Sequence, residues 1–224
     1  MTELQLRKQI IATALRMNSL GINRGKSGNV SARWSDGFLV TPSGLPYEET
    51  KQGDIVFIDE KAKVKGKRPP SSEWRFHFEI YHRKSEVNAV VHTHSSFATT
   101  LACLEMAVPA FHYMVAVAGG NSIRCAPYAT FGTQTLSDNA LKALKDRKAC
   151  LLANHGMIAT GGNLQSALAL AVEVEALCEQ YWRALQISKP TLLSDDEMEV
   201  VLEKFKTYGK VTLNEHSPRR KTQT

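Results

Sequence analysis

Two histidines two residues apart, in Ala89-Val90-Val91-His92-Thr93-His94-Ser95, carry the strongest chemical signal in the sequence. Val90, Val91 and Thr93 favour extended backbone, and the run is short and apolar, as a strand requires. Side chains two apart on a strand leave the same face. His92 and His94 would then stand side by side, as two imidazoles must to share one metal ion. Imidazole nitrogen suits zinc, and a catalytic zinc usually keeps three protein ligands and one open position. The plain alternative is a pair of polar residues on the wet face of a half-buried strand.

A third imidazole must come from the remaining members of a set of seven histidines. His77 and His82 fall within a helical pattern, where a structural or exposed role is expected. His216 lies in a polar tail, and His112 beside Tyr113 is ambiguous. His155 sits in Asn154-His155-Gly156, a tight turn between two short strands that can aim a side chain at a pocket, so it is the best third ligand. Three small-residue segments could bind an anion through backbone N–H groups and hydroxyls. They are Gly28-Asn29, Ser43-Gly44 and Ser71-Ser72. Any one of them alone would be read as a turn.

The elements that must position these residues follow from periodicity. Leu6, Ile10, Ala14 and Met17 mark one face of a helix, ended by Gly21. Val30, Ala32 and Trp34 alternate as a strand, turning at Ser35-Asp36-Gly37 into a second strand, Phe38 to Thr41. Asp54 to Asp59 and Lys63 to Lys67 form another hairpin. Ser71 or Ser72 is expected to cap a helix with Glu73 in its first turn. Ile123 to Tyr128 reads as a strand, Thr133 to Asp146 as a helix, and Cys150 to Ala153 and Met157 to Thr160 as strands around His155. Helices are expected from Asn163 to Ile187 and, after a capping box at Ser194 and Glu197, through Phe205. Hairpins outnumber βαβ signals. The expected fold class is therefore α/β of the α+β type, a mostly antiparallel central sheet flanked by helices.

Composition narrows the function further. The chain has 224 residues, 43% hydrophobic and 22% charged, as a single globular domain would. The net charge of +6 suits an anionic small substrate, and no basic run interleaves with aromatics, so nucleic acid is not the expected partner. The four cysteines form no Cys-x-x-Cys pair and read as reduced core residues. Neither a signal peptide nor a membrane span is evident, and a cytoplasmic location is expected.

Several of these stretches together resemble the class II aldolase/adducin family. They are Ser71-Ser72-Glu73-Trp74-Arg75-Phe76-His77, Val90-Val91-His92-Thr93-His94 and Asn154-His155-Gly156. His112-Tyr113-Met114, Ala118-Gly119-Gly120-Asn121-Ser122, Ala126 to Thr133 and Val200 to Gly209 extend the likeness over residues 3–210. The resemblance implies a three-layer catalytic domain spanning 1–210; the polar, basic stretch 211–224 that it leaves out is expected from its composition to be a disordered tail. It implies one zinc per subunit on His92, His94 and His155, with Glu73 near or on the metal and serving as acid and base. Gly28, Asn29, Ser43, Gly44, Ser71 and Ser72 would hold a substrate phosphate. Tyr113 would stabilise the departing aldehyde's oxyanion, and Phe131 and Tyr208 would shape the aldehyde end.

The implied reaction is cleavage of a ketose 1-phosphate to dihydroxyacetone phosphate and an aldehyde, in a homotetramer with active sites between subunits. L-fuculose 1-phosphate is the first expected substrate. The alternatives are 5-deoxyribulose or 5-methylthioribulose 1-phosphate, a sugar-phosphate epimerase or dehydratase, and a non-catalytic adducin-like module. Ser95, Ser96, Phe97 and the surroundings of Asn154 depart from the family pattern, which bears on the choice of aldehyde.

Overall fold

The computed structural model describes residues 1–207. Tyr208 and the tail expected at 211–224 lie outside the described residues. In chain order the elements are α1 (Glu3–Ser19), β1 (Asn29–Trp34), β2 (Gly37–Val40), β3 (Val56–Asp59), β4 (Val64–Lys65), α2 (Trp74–Arg83) and β5 (Ala89–Thr93). Then follow α3 (Ser96–Cys103), β6 (Arg124–Ala126), α4 (Gln134–Ala143), β7 (Ala149–Leu152), β8 (Gly156–Gly161), α5 (Leu164–Ile187) and α6 (Asp195–Phe205). The strands form one sheet in the order β4-β3-β2-β1-β5-β8-β7-β6. Every pairing is antiparallel except β6 with β7.

The histidine strand β5 lies inside this sheet, between β1 and β8. All five of its residues are buried, so neither face is wet. Alternation explains how. Ala89 and Val91 join an apolar cluster with α1, α3, α5 and α6, while Val90 joins the cluster under α2 and α4. His92 falls on the α2 side, edge-on to Phe76 at 5.3 Å between ring centroids. The result is three layers with a core on each side of the sheet. Each fully buried Val, Leu or Ile contributes about 1.5–3 kcal/mol relative to exposure.

Several boundaries differ from expectation. The helix after Ser71-Ser72 is capped by Glu73 itself, whose carboxylate makes no bond to the helix N–H groups. Ser71 Oγ accepts instead from the Glu73 N–H, at 3.3 Å. The run after His94 is a short helix, α3, and Tyr113–Ala118 is a 3-10 helix; neither was expected. Ser194 accepts from Glu197 N–H at 3.2 Å as a simple cap. Cys150 and Cys178 are buried, but Cys103 is exposed and Cys125 half-buried, so only two cysteines are core residues. No helix among the described residues is long and apolar enough to cross a membrane.

Candidate metal centre

Strand alternation delivers His92 and His94 to one side of β5, with their Nε2 atoms 2.9 Å apart. The third imidazole comes from the turn between β7 and β8. Asn154 there takes φ of +54°, a left-handed conformation that Asn tolerates better than most residues. Its N–H donates to Ala102 O at 3.0 Å, and His155 N–H donates to Leu152 O at 3.1 Å, fixing the turn. Gly156 must be glycine, because a Cβ there would run into the Thr93 carbonyl and lie 3.0 Å from His94 Cδ2. The three rings lie 4.8–4.9 Å apart between centroids at interplanar angles of 76–78°, a near-threefold propeller.

Glu73 closes the open side. It is 5% exposed, with Oε2 3.1 Å from His92 Nε2 and Oε1 2.9 Å from His155 Nε2. Despite that proximity, Oε1 is buried without a well-aligned hydrogen bond. The ligand atoms of Glu73, His92, His94 and His155 all lie within 4.8 Å of one another. Met157 O, 2.8 Å from His92 Nδ1, can only accept, so Nδ1 carries a proton and Nε2 is the ring atom turned to the centre. Burial pushes the His94 pKa down to about 3, with His92 and His155 adding to the effect, so that ring is neutral too. Burial alone would raise Glu73, but the facing imidazoles of His92 and His155 outweigh it and hold the carboxyl well below the usual range.

This donor set fits a divalent metal ion. Ring nitrogens of three imidazoles and one carboxylate converge, and one buried oxygen lacks a partner. A tetrahedral ion with bonds of about 2.0–2.1 Å sets its ligands about 3.3 Å apart, close to the contacts seen here. Desolvated, converging acceptors are unfavourable without a cation between them.

A cavity of about 260 Å³ opens onto the cluster, lined by Ser27, Ser72, Glu73, His94, Tyr128, Ala129, Phe131, Asn154 and His155. A larger cavity of about 450 Å³, bordered by Met114, Arg147 and Leu170, holds no comparable set of ligand atoms. Ser72 and Phe131 therefore meet at the histidine site. The Ser43 turn is tied to the Ser71 segment by a Pro42–Pro70 bridge, by Ser43 N–H to Pro69 O at 3.1 Å and by Ser71 N–H to Thr41 O at 3.0 Å. Lys26, absent from the sequence-based candidates, donates from Nζ to Gly44 O at 2.8 Å and sets a positive charge among these loops. Gly28 packs so tightly that a Cβ would lie 2.6 Å from His92 O, which accounts for the glycine by itself. The Asn29 amide is buried and donates to Glu73 Oε2 at 2.9 Å. Tyr113 is 51% exposed and does not border the cavity.

Sequence reasoning missed Glu175 and Tyr128. The Glu175 carboxylate, on α5, accepts from Ser95 Oγ at 2.6 Å, Phe97 N–H at 2.8 Å and Ala98 N–H at 2.9 Å. It thereby caps α3 and fixes the chain just after His94. Nothing in the spacing of an acidic residue on a long helix marks it. Tyr128 stands on the cavity wall three residues before Phe131, in a stretch already singled out.

Residues 8–182 match the family described as "Class II Aldolase and Adducin N-terminal domain". A 5-methylthioribulose-1-phosphate/5-deoxyribulose-1-phosphate aldolase of Rhodospirillum rubrum is 58% identical over 208 residues, covering 93% of this chain and 94% of that one. An L-fuculose phosphate aldolase of Escherichia coli is 54% identical over 206 residues, covering 92% and 96%. A solved structure of an L-fuculose 1-phosphate aldolase superposes with a TM-score of 0.88 at 40% identity, covering 90% of this chain and 96% of that one. The chain belongs to the class II aldolase/adducin family.

Proposed function

We propose that this class II aldolase uses one zinc per subunit to cleave a ketose 1-phosphate into dihydroxyacetone phosphate and an aldehyde, with L-fuculose 1-phosphate as the first candidate substrate. The convergence of Glu73, His92, His94 and His155 on one point carries this reading. It also argues against a non-catalytic module, which has no use for four converging ligands.

When bound, the cation supplies Lewis-acid stabilisation of the negative charge that develops as the C–C bond breaks. Everything else falls to side chains. Glu73, ionised and facing the cavity, takes the proton from the hydroxyl beside the scissile bond. As that bond breaks, its electrons pass to the three-carbon fragment. Glu73 then returns the proton to the carbon that received them. Such proton transfers contribute about 10²–10⁴-fold.

Gly28, Asn29, Ser43, Gly44, Ser71 and Ser72 hold the phosphate in this proposal, supported by the stitching of the Ser43 and Ser71 loops and the nearby Lys26 charge. Phe131 meets the aldehyde end from the cavity wall. Tyr113 stabilises the departing oxyanion, and Tyr208 shapes the same end. Because Tyr113 is exposed away from the cavity of its own chain, its part requires a site shared between subunits, as in the proposed homotetramer.

A second reading takes 5-deoxyribulose or 5-methylthioribulose 1-phosphate instead, favoured by the 58% identity to the Rhodospirillum rubrum enzyme. One assay tests both: each ketose 1-phosphate is supplied to zinc-loaded enzyme, and dihydroxyacetone phosphate is measured. Release from none of them overturns the proposal, and the ranking of kcat/KM selects the aldehyde.

A further inference from the structure

Beneath the metal cluster, β1 and α2 face each other with matched strides. Asn29 and Ser31, two apart on β1, share one face of the strand. Glu73, His77 and Tyr81, four apart at and along α2, share one face of the helix. The two rows interlock as a single hydrogen-bonded chain. Tyr81 Oη lies 2.8 Å from Ser31 Oγ, which lies 2.6 Å from His77 Nδ1. His77 Nε2 lies 2.5 Å from Asn29 Oδ1, and Asn29 Nδ2 donates to Glu73 Oε2 at 2.9 Å.

The direction of every bond follows from the last. A carboxylate accepts, so the Asn29 amide nitrogen faces Glu73 and its oxygen faces His77. His77 Nε2 must then carry the ring's proton and donate to Asn29, and Nδ1 must accept a hydrogen bond from the Ser31 hydroxyl. The Ser31 hydroxyl, with its one hydrogen directed to His77, accepts from Tyr81. Burial lowers the His77 pKa to about 3, with His92 adding to the effect, which keeps the ring neutral with one donor and one acceptor. Phe76 stacks on His77 at 4.6 Å, and Phe38 packs against Tyr81 at 5.0 Å, sealing the chain from water. His77 is 0% exposed and Ser31 0% exposed, so no solvent can replace a lost partner.

We propose that His77 is a positioning residue: with Ser31 and Tyr81 behind it, it holds the Asn29 amide, which pins Glu73 Oε2 and leaves Oε1 facing His155. A histidine read as merely structural thereby acts on the carboxylate of the reaction. The role in turnover rests on the aldolase reading above, whereas the effect on metal binding does not.

The test compares His77→Phe, His77→Gln and Ser31→Ala with the parent enzyme. Phe keeps the ring's bulk and removes both hydrogen bonds; Gln offers a donor and an acceptor from one amide. Zinc affinity, read by competition with a chromophoric chelator, reports on Glu73 without turnover. Loss of an outer partner of a ligand typically costs about 10–100-fold in metal affinity or activity. His77→Phe is expected to lose about that factor in zinc affinity, and in kcat at saturating zinc, with KM changed less than about twofold.

His77→Gln should recover most of both losses, and Ser31→Ala should show a smaller loss in the same direction. If His77→Phe does not fold, Ser31→Ala and His77→Gln carry the comparison. Unchanged zinc affinity and kcat in Ser31→Ala and a folded His77→Phe would overturn the proposal. So would a His77→Gln as impaired as His77→Phe. Parent enzyme that binds zinc yet releases no dihydroxyacetone phosphate would fail the aldolase reading alone, since the affinity comparison still stands.

Discussion

Glu175→Ala removes one carboxylate from α5 and with it three hydrogen bonds to the start of α3. Phe97 as a whole is half-buried, and its N–H is left out of the sum. Ser95 is 1% exposed and Ala98 0%, so their donors lose their partner in a desolvated place. An unsatisfied buried donor costs about 1–3 kcal/mol, so the two together cost about 2–6 kcal/mol. For a chain of this size each kcal/mol lowers Tm by about 2–4 °C. A fall of at least about 4 °C is expected by differential scanning calorimetry. The same change frees the chain just after His94, so zinc affinity should fall as well. A variant melting within about 1 °C of the parent, with unchanged zinc affinity, would show that α3 caps itself and that Glu175 only happens to lie nearby.

Glu73→Gln keeps the shape of the carboxylate and loses the base, so kcat should fall about 10²–10⁴-fold, measured as dihydroxyacetone phosphate release. Near-normal turnover would assign the proton to another group. Metal analysis should find about one divalent ion per subunit. Chelation should abolish activity while far-ultraviolet circular dichroism stays close to that of the holoenzyme, because two apolar cores hold the ligands' scaffold. Collapse of the spectrum on chelation would contradict that. Ser72→Ala should raise KM for every ketose 1-phosphate by a similar factor, since a hydrogen bond to a charged group is worth about 1.5–3 kcal/mol. Phe131→Ala should instead reorder the aldehydes, as specificity follows differential binding in the transition state. The reverse pattern would place the substrate the other way round in the cavity.

The amino-acid sequence by itself determined the parts of this protein that depend on local period. Alternation in Val90 to His94 placed two imidazoles on one side of a strand, and the Asn154-His155-Gly156 turn announced a third. Hairpin signals led correctly to a mostly antiparallel sheet. Where the period is short, sequence was silent: the buried stripe of α3, Ala98, Leu101 and Ala102, spans little more than one turn. The parallel pairing of β6 with β7 depends on chain returning through α4, which turn chemistry does not encode.

Only the tertiary structure decided which groups meet across long separations. Ser71 and Ser72 looked like the helix cap, yet Glu73 took that place and turned its carboxylate to the histidines, where the buried imidazoles attract it more than the helix terminus does. Glu175 reaches the turn after His94 from about 80 residues away, and His77 reaches Ser31 across 46. Hydrogen-bond partners of that kind are selected by desolvation. Once the sheet and helices exclude water, each buried polar group must take whichever partner packing brings within reach, and packing is a property of the whole chain.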